Sequence, residues 1–524
     1  MEMLVAPRTG RIWVLSRLHA FNVAAAYPVL LYFYDANGLR RYPCQNILSG
    51  ITPLAYGWEV GRRHHLFHTQ RLHQQLLDAP VIRVGPNWLS FGRAAAVRDI
   101  YGFNSPCRKG RNYSTLKSDD AESLLLSTVK TVHTARRRMV AAAYAPGNID
   151  IWEPRVAESA AALVSKLDAL CTAPPFLSGA VLPEDELTFD ANLWSMLYAW
   201  ECAIKIGLSK DMGFIRQSSD LVDVNLPDGS KVKTQIIECL HTGSRAASTL
   251  AWGSGSFSWL KRITGVFSSW HSQSWTKAEV WFAFIDGITQ ERLERCNSGD
   301  DFADLVQPMI RDGKGGNSEI SNRDRNAEVH QIVNGGGDRS GISLVNTLYY
   351  LAKHPETMVR LRDELDSSLI AEDIIAPWSK VKRMRYLRAC INESMRLSPP
   401  VATDLLRVTP PDRSYMIAGE LVPPNTNFSI SAYAAHRDPR IFTDPEAFNP
   451  NRWLSTNGDQ LREILSLVYI ATIVHRYNFA LPSQDWTMEW EDSLNLWPKE
   501  LPLKIWRREL QNNPSDHNMS TGIA

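Results

Sequence analysis

One carboxylate and two arginines impose the strongest constraint on how this chain of 524 residues can fold. Glu393 and Arg396 lie three residues apart in a segment that reads as helix, so their side chains share one face. A proline pair ends that helix, and a turn-rich stretch then brings Arg452 beside Trp453. Bidentate bonds between guanidinium and carboxylate groups tolerate partial burial. We therefore expect these residues to form a buried ion cluster that braces the rest of the fold.

The composition is that of an ordinary globular protein and argues against nucleic-acid binding. Lys and Arg total 57, Asp and Glu total 56, and the net charge is +1, whereas a nucleic-acid-binding domain normally carries a patterned basic surface. The seven cysteines are scattered and include no CxxC pair, which argues against a disulfide scaffold or a structural zinc site. The chain fits a reducing, cytosol-facing environment, and we assign no metal ligand.

The N-terminal region contains a candidate membrane anchor. Residues from Leu18 to Tyr34 are largely apolar but include Pro28, and a spanning helix needs about 20 apolar residues. A basic, proline-terminated neck follows from Gly38 to Pro43. We expect residues 1–43 to form an anchor and neck, with the remainder on the cytosolic face. A buried N-terminal helix is the alternative.

The order of predicted elements indicates a mainly α protein with small β-sheets. Two short strands surround a turn between Val81 and Phe91, and further strands are predicted at Tyr415–Ile417, Asn427–Ser431 and Leu501–Trp506. The stretch from Gly243 to Trp275 is rich in Ser, Gly and Trp and is predicted to be an irregular loop that could roof a ligand pocket or touch a membrane. The predicted helices are 121–143, 153–170, 188–208, 276–296, 327–352, 355–365, 381–397 and 461–475.

A glycine-rich stretch lies within the helix predicted for 327–352. It runs from Asn334 to Gly341 and reads Asn-Gly-Gly-Gly-Asp-Arg-Ser-Gly. Each glycine within a helix costs about 1 kcal/mol relative to alanine, so a surface without side chains must serve a purpose here, such as contact with a flat ligand. A phosphate-binding loop is the alternative, but the stretch lacks a preceding strand, the GxGxxG spacing and a GK[ST] sequence. A Gly-loop nucleotide-binding enzyme is therefore the weakest functional alternative.

These motifs resemble those of the heme-thiolate monooxygenases, the cytochrome P-450 superfamily, and in particular its membrane-anchored fungal members. Glu393-Ser-Met-Arg396 matches the ExxR motif, and Phe448-Asn-Pro-Asn-Arg452-Trp453 matches the FxPxRW motif. The resemblance implies the mainly α fold of that family, with residues 44–524 as one catalytic domain. It also implies a heme b cofactor, with the ion cluster of Glu393, Arg396 and Arg452 holding the structure behind it.

The resemblance implies roles for residues of the glycine-rich stretch. Asp338 stands at the acid of the A/G-G-x-D-T motif, and Gly336 falls in the oxygen-binding groove of that motif. Arg339 stands where the family has threonine, so Ser340 is the hydroxyl that could join Asp338 in proton delivery.

The resemblance also implies residues that bind the heme propionates. His133 and Arg137 match the W-x-x-x-R motif, with histidine in place of tryptophan. Arg407 resembles the later propionate-binding arginine, and His436 is a further candidate.

One element of the family is missing from this chain. Family members follow FxPxRW with a segment of the F-x-x-G-x-R-x-C-x-G type, whose cysteine thiolate binds the iron and favours O–O cleavage. Here Trp453 is followed by eight residues ending at Leu461 and then directly by the last predicted helix. We infer that the ligand loop is deleted between about 453 and 462. Cys390, one turn before Glu393, is better explained as a buried core thiol than as a replacement.

Two explanations of the deletion stay open. An exon of an active oxygenase is omitted from the gene model, or a true relative has lost its ligand. Family-like sequence on both sides of the gap favours the first explanation, and Arg339 at the threonine position favours the second.

The resemblance implies a monooxygenase that depends on an NADPH-dependent reductase and inserts one oxygen atom into an apolar organic substrate. Fungal secondary metabolism is the expected setting, and the endoplasmic reticulum membrane is the expected location. The non-enzyme alternative is a heme-free or weakly heme-binding scaffold for a hydrophobic ligand or partner.

Overall fold

The computed structural model describes residues 26–63, 65–76, 80–116, 121, 123–141, 143–144, 148–175, 181–300, 302–311, 316–454 and 464–510. The fold is mainly α with small β-sheets, which confirms the predicted class. Within these ranges, every helix is too short or too polar to cross a bilayer. The predicted anchor lies mostly outside them, although residues 26–34 are helical.

The helices fill the middle of the chain, and short strands flank them. In chain order the α-helices of the described residues are α1 (Leu54–Gly61), α2 (His65–Gln75), α3 (Ala96–Tyr101), α4 (Lys130–Ala141), α5 (Ile149–Leu170), α6 (Ala191–Leu208), α7 (Phe214–Gln217), α8 (Ile236–Leu250), α9 (Phe257–Phe267), α10 (Ser269–Asn297), α11 (Gln307–Ile310), α12 (Asn322–Lys353), α13 (Pro355–Asp366), α14 (Trp378–Val381), α15 (Arg385–Leu397), α16 (Ala432–Ala435) and α17 (Ile464–Arg476). Short 3₁₀ helices occupy Leu39–Arg41, Arg111–Leu116, Glu184–Glu186, Ala251–Ser256 and Pro450–Trp453.

The strands form one larger sheet and several small ones. They are β1 (Val81–Gly85), β2 (Trp88–Phe91), β3 (Arg108–Lys109), β4 (Phe189–Asp190), β5 (Leu221–Asn225), β6 (Lys231–Gln235), β7 (Arg407–Val408), β8 (Tyr415–Ile417), β9 (Glu420–Val422), β10 (Asn427–Ser429), β11 (Tyr477–Ala480), β12 (Trp490–Asp492), β13 (Leu496–Pro498) and β14 (Pro502–Arg507). The larger sheet has the order β1-β2-β10-β7-β3. It brings the early hairpin beside strands from the last quarter of the chain.

Helix α12 continues through the glycine-rich stretch because α6 packs closely against its glycine face. A Cβ on Gly337 would lie 2.8 Å from the Trp200 ring, and one on Gly336 would lie 3.0 Å from Ala203. Helix α6 is buried along nearly its whole length, so it presents apolar side chains in every direction. The glycines therefore let two core helices approach each other, which offsets their unfavourable helix propensity.

Two local predictions need correction, and one hairpin was not predicted. The predicted loop at 243–275 is helical, because Ala246, Leu250 and Trp275 share a small buried core with residues of α9. The helix predicted for 121–143 begins only at Lys130. The β5–β6 hairpin was not predicted, although its turn contains Asp228-Gly229, a strong hairpin signal. The glycine of that pair has φ +86°, which suits a residue without a Cβ.

Candidate functional site

The structure brings Glu393, Arg396 and Arg452 together in a buried ion cluster. Arg396 Nε and Nη2 donate to the two oxygens of Glu393, each over 2.9 Å, and Arg452 Nε donates to Oε1 over 3.2 Å. The backbone N–H of Asn449 and the indole N–H of Trp453 also donate to this carboxylate, each over 2.9 Å. Glu393 therefore accepts bonds both from its own helix and from the FxPxRW segment.

The hydrogen bonds to Glu393 outweigh the cost of burying its charge. Burial on its own raises the pKa of this carboxyl, but the bonds from Arg396 and Asn449 bring the pKa below its ordinary value. Arg396 also donates to the backbone oxygens of His436, Pro445 and Ala447. The cluster thereby fixes the path of the chain leading to Trp453.

His436 lies against this cluster rather than apart from it. Its Nδ1 lies 3.2 Å from the backbone oxygen of Arg396, and burial lowers the pKa of its ring. Its role as a propionate partner stays a prediction.

A second group of side chains, around His133, is positively charged. Burial lowers the pKa of His133, and so do the charges of Lys109, Arg137 and Arg407. Strands β3 and β7 set Lys109 opposite Arg407 in register, and helix α4 contributes the other two residues one turn apart. Arg407 Nη1 also donates to the Tyr113 hydroxyl over 2.9 Å. The charges that act on His133 are all positive, which suits the binding of an anion beside it.

Asp338 is buried on the side of α12 that faces α8 and β13. It pairs with His241, and it accepts hydrogen bonds from Asn495 and, over 2.9 Å, from Trp497 Nε1. Burial on its own raises the pKa of Asp338, but the charge of His241 and these hydrogen bonds bring the pKa below its ordinary value. His241 also lines an open cleft of about 910 Å³. His241 therefore links the buried Asp338 to the open cleft.

Ser340 does not share the face of Asp338, because residues two apart on a continuous helix point in different directions. The proton route that the geometry does offer, through His241, was missed by sequence reasoning. His241 lies almost 100 residues before Asp338, and no local motif links the two. Lys109 and Tyr113 were missed for the same reason.

A cavity of about 130 Å³ lies between α8, α10 and α12 and the segment around Val401. Apolar and aromatic side chains supply much of its wall, and Arg339 adds a guanidinium. Its main lining residues for the present argument are Tyr113, Leu240, Trp275, Trp281, Phe282 and Arg339. Such a partly enclosed space, with mostly apolar lining and several polar groups, is typical of a small-molecule site.

The residues described above fit the heme that the motifs imply only at the edge that carries its propionates. The positive charges near His133, those of Lys109, Arg137 and Arg407, suit carboxylates such as propionates.

No cysteine of the chain occupies the position that precedes α17, where the resemblance calls for a thiolate. All seven lie elsewhere, and the last, Cys390, is buried in α15. Burial raises the pKa of the Cys390 thiol far above its ordinary value, so this sulfur stays protonated. The described residues thus include cations that suit carboxylates, but none of their cysteines lies where the resemblance calls for a thiolate.

Comparisons with known proteins agree with the motifs. A family model described as Cytochrome P450 matches residues 61–477. A cytochrome P450 monooxygenase from Aspergillus terreus is 24% identical over 476 residues, which cover 87% of this chain and 89% of that protein. Pisatin demethylase from Fusarium vanettenii is 25% identical over 449 residues, covering 83% and 80%.

The fold is also similar to a solved structure, the cytochrome P450DA heme domain. The TM-score is 0.69 at 14% sequence identity, and the match covers 89% of this chain and 98% of that one. Because the family model spans well over half of the chain, the protein belongs to the cytochrome P450 family of heme-dependent oxidoreductases.

Proposed function

We propose that the protein serves as a monooxygenase that inserts one oxygen atom into an apolar organic substrate in fungal secondary metabolism. The observation that carries this proposal is the partly enclosed, aromatic cavity beside α12. Its position between helices, with mostly apolar lining, suits a small apolar molecule. The similarity to fungal proteins named as monooxygenases supports the reaction class.

We propose that the active polypeptide contains a cysteine-bearing segment that this sequence lacks between Leu454 and Ile464. The structure on both sides of this position supports the proposal. Trp453 still donates to Glu393 over 2.9 Å, and α17 is buried from its first described residue. A lineage that had lost its ligand long ago would lose the reason to maintain this ion cluster. Without the segment, the chain lacks the thiolate that the family's oxygen chemistry requires.

We assign the propionates to His133, Arg137 and Arg407, with Lys109 as an additional cation. Proton supply is assigned to Asp338, which takes up protons from the open cleft through His241. The oxygen-groove roles that the motif implies for Ser340 and Gly336 stay predictions, and Gly336 packs against Ala203 of α6.

The proposal includes an electron donor and a membrane location. We assign electron supply to an NADPH-dependent reductase and place residues 1–43 as anchor and neck at the endoplasmic reticulum, with 44–524 as the catalytic domain. In support, the helical segment 26–34 exposes a run of large apolar side chains to solvent. These are Tyr27, Leu30, Leu31, Phe33 and Tyr34.

The test is to sequence the transcript across the codons for Trp453 to Ile464 and to express both forms. We expect a longer transcript whose protein, after reduction and carbon monoxide treatment, shows the Soret band of a thiolate-bound heme. The chain as written should bind hemin without that band, and Arg407→Ala should weaken hemin binding in both forms. A transcript that joins Trp453 directly to the present sequence would rule out the omitted segment.

The second candidate function is a heme-free ligand-binding scaffold. It is favoured by one observation, the lack of any cysteine after Cys390. If the short transcript is the only one and its protein binds no hemin, this second function replaces the first.

A further inference from the structure

Arg339 belongs to the glycine-rich stretch and lines the cavity. Its side chain runs back along α12, so that Nη1 lies 3.7 Å from the position of a Cβ on Gly335, an ordinary van der Waals distance. From there the guanidinium faces the cavity between α8 and α10. The cavity therefore has a positive charge at its α12 wall.

Among the described residues, no acid forms a hydrogen bond with Arg339. Burial lowers the pKa of its guanidinium, although an arginine in a protein keeps its proton. Asp338, the acid that acts on this charge, already accepts bonds from His241, Asn495 and Trp497 on another face of the helix. Arg339 Nε is buried and has no hydrogen-bond partner among the described residues. A buried donor without an acceptor is costly, so a ligand that supplies one would be favoured.

Two other ionisable groups of the cavity, His330 and Lys261, do not supply an anion. His330 accepts from Trp281 Nε1 over 2.9 Å, and burial, together with the charge of Arg339, lowers the pKa of its ring to about 4. It is therefore neutral at pH 7. Lys261, which also lines the cavity, adds positive charge and lies 5.3 Å from the centroid of the Trp275 ring.

Among the described lining residues, Asp404 is the one acid; its Oδ2 pairs with His65, whereas its buried Oδ1 has no hydrogen-bond partner among the described residues. His65 Nε2 lies 3.0 Å from its Oδ2, and both side chains are almost completely buried. Hydrogen bonding to Asp404 raises the pKa of His65 against the effect of burial, so this pair balances itself. The net charge that faces the cavity is positive.

The size of the cavity limits the ligand. About 130 Å³ is close to the volume of about 150 Å³ at which an engineered apolar cavity binds benzene. Aromatic side chains on the wall favour a flat ring by stacking and edge contacts.

We propose that this cavity binds a carboxylic acid with a single aromatic ring, whose carboxylate is held by Arg339. This inference rests on the proposed function, since it names the substrate class of the same cavity. A guanidinium and a carboxylate form paired, charge-assisted hydrogen bonds that a neutral ring cannot replace. Arg339 is therefore a specificity residue.

The experiment measures binding to the full chain without heme, by isothermal titration at pH 7, with benzoate and benzyl alcohol as probes. Benzoate should bind at least about tenfold more tightly than benzyl alcohol, as expected for a hydrogen-bonded pair with a charged group. Arg339→Gln should remove this preference while leaving benzyl alcohol binding unchanged, and Arg339→Lys should retain part of it. Arg262→Gln, an exposed charge change on α9, should leave both affinities unchanged and is the matched control.

Equal affinity of the unaltered protein for the two probes, or no binding of benzoate, would overturn the proposal whatever the variants do. Retention of the benzoate preference in Arg339→Gln would also overturn it. Because the measurement uses no heme, failure here leaves the monooxygenase proposal standing. Failure of that proposal in the spectral test leaves the binding result intact, but the acid is then a bound ligand and not a substrate.

Discussion

Replacing Glu393 by glutamine should remove the strongest electrostatic support of the fold. The carboxylate is completely buried and accepts five hydrogen bonds, three of them from arginines. Glutamine keeps the shape but has no charge and only one acceptor oxygen, so Arg396 remains buried without a counterion. Breaking one side of a buried ion pair costs about 3–5 kcal/mol. Since Arg396 also keeps three backbone acceptors, we expect the lower half of that range.

The assay is urea unfolding at pH 7, followed by circular dichroism and by tryptophan fluorescence, with the free energy of unfolding taken from coincident transitions. The control is Glu489→Gln, which removes an equally charged group from an exposed pair with Lys499. We expect no measurable change in the control, because exposed pairs contribute little. If Glu393→Gln loses no more stability than this control, the cluster is not the brace that its geometry indicates.

Three further predictions concern the same core. The pKa of Glu393 is lower in the folded than in the unfolded protein, so the ionised carboxylate stabilises the fold above the unfolded pKa of about 4.3. This stabilisation is lost as the pH falls through the folded pKa. The difference in free energy of unfolding between the unaltered protein and Glu393→Gln should therefore shrink in acid titrations. Gly337→Ala should cost about 1–3 kcal/mol in urea unfolding, because its Cβ meets the Trp200 ring at 2.8 Å. The matched change Gly287→Ala introduces a Cβ into open space and should raise the free energy of unfolding by about 0.5–1 kcal/mol. Equal changes in stability for Gly337→Ala and Gly287→Ala would refute the packing argument. In native protein, Cys390 and the other buried cysteines should react with a thiol reagent far more slowly than the three partly exposed cysteines. A single uniform reaction rate would contradict the burial of these four thiols.

The elements that sequence reasoning predicted well have a strong local signal. Helix α12 was predicted through its glycines because apolar periodicity continues on both sides of them, and β8 matched its predicted bounds. The segment containing α9 could not be predicted in the same way. Its serines, glycines and tryptophans favour a loop locally, and its helical state depends on Trp275 packing against Ala246 and Leu250 from another helix. Tertiary burial there overrides local propensity.

The contacts of the candidate site show the same difference between local and long-range signals. The approach of Arg452 to Glu393 could be expected because both belong to short motifs with fixed spacing. The pairing of His241 with Asp338 and the position of Lys109 opposite Arg407 could not, because each depends on how distant elements pack. The family motifs name the residues expected at the cofactor, but they do not show that Gly336 and Gly337 face α6.

Asp338 and Arg339 show why one departure from a motif need not disturb its neighbour. Adjacent residues on an α-helix point about 100° apart, so a substitution at one position leaves the contacts of the next intact. Asp338 keeps its partners His241 and Trp497 on the side facing β13, while Arg339 points into the cavity. The replacement of the family's hydroxyl by a guanidinium therefore alters what the cavity can hold and leaves the buried acid in place. Random decay would not be expected to leave the buried Nε of Arg339 without a hydrogen-bond partner among the described residues, since such a donor is costly unless a ligand binds it. The substitution is better explained as a change of ligand than as the loss of a function.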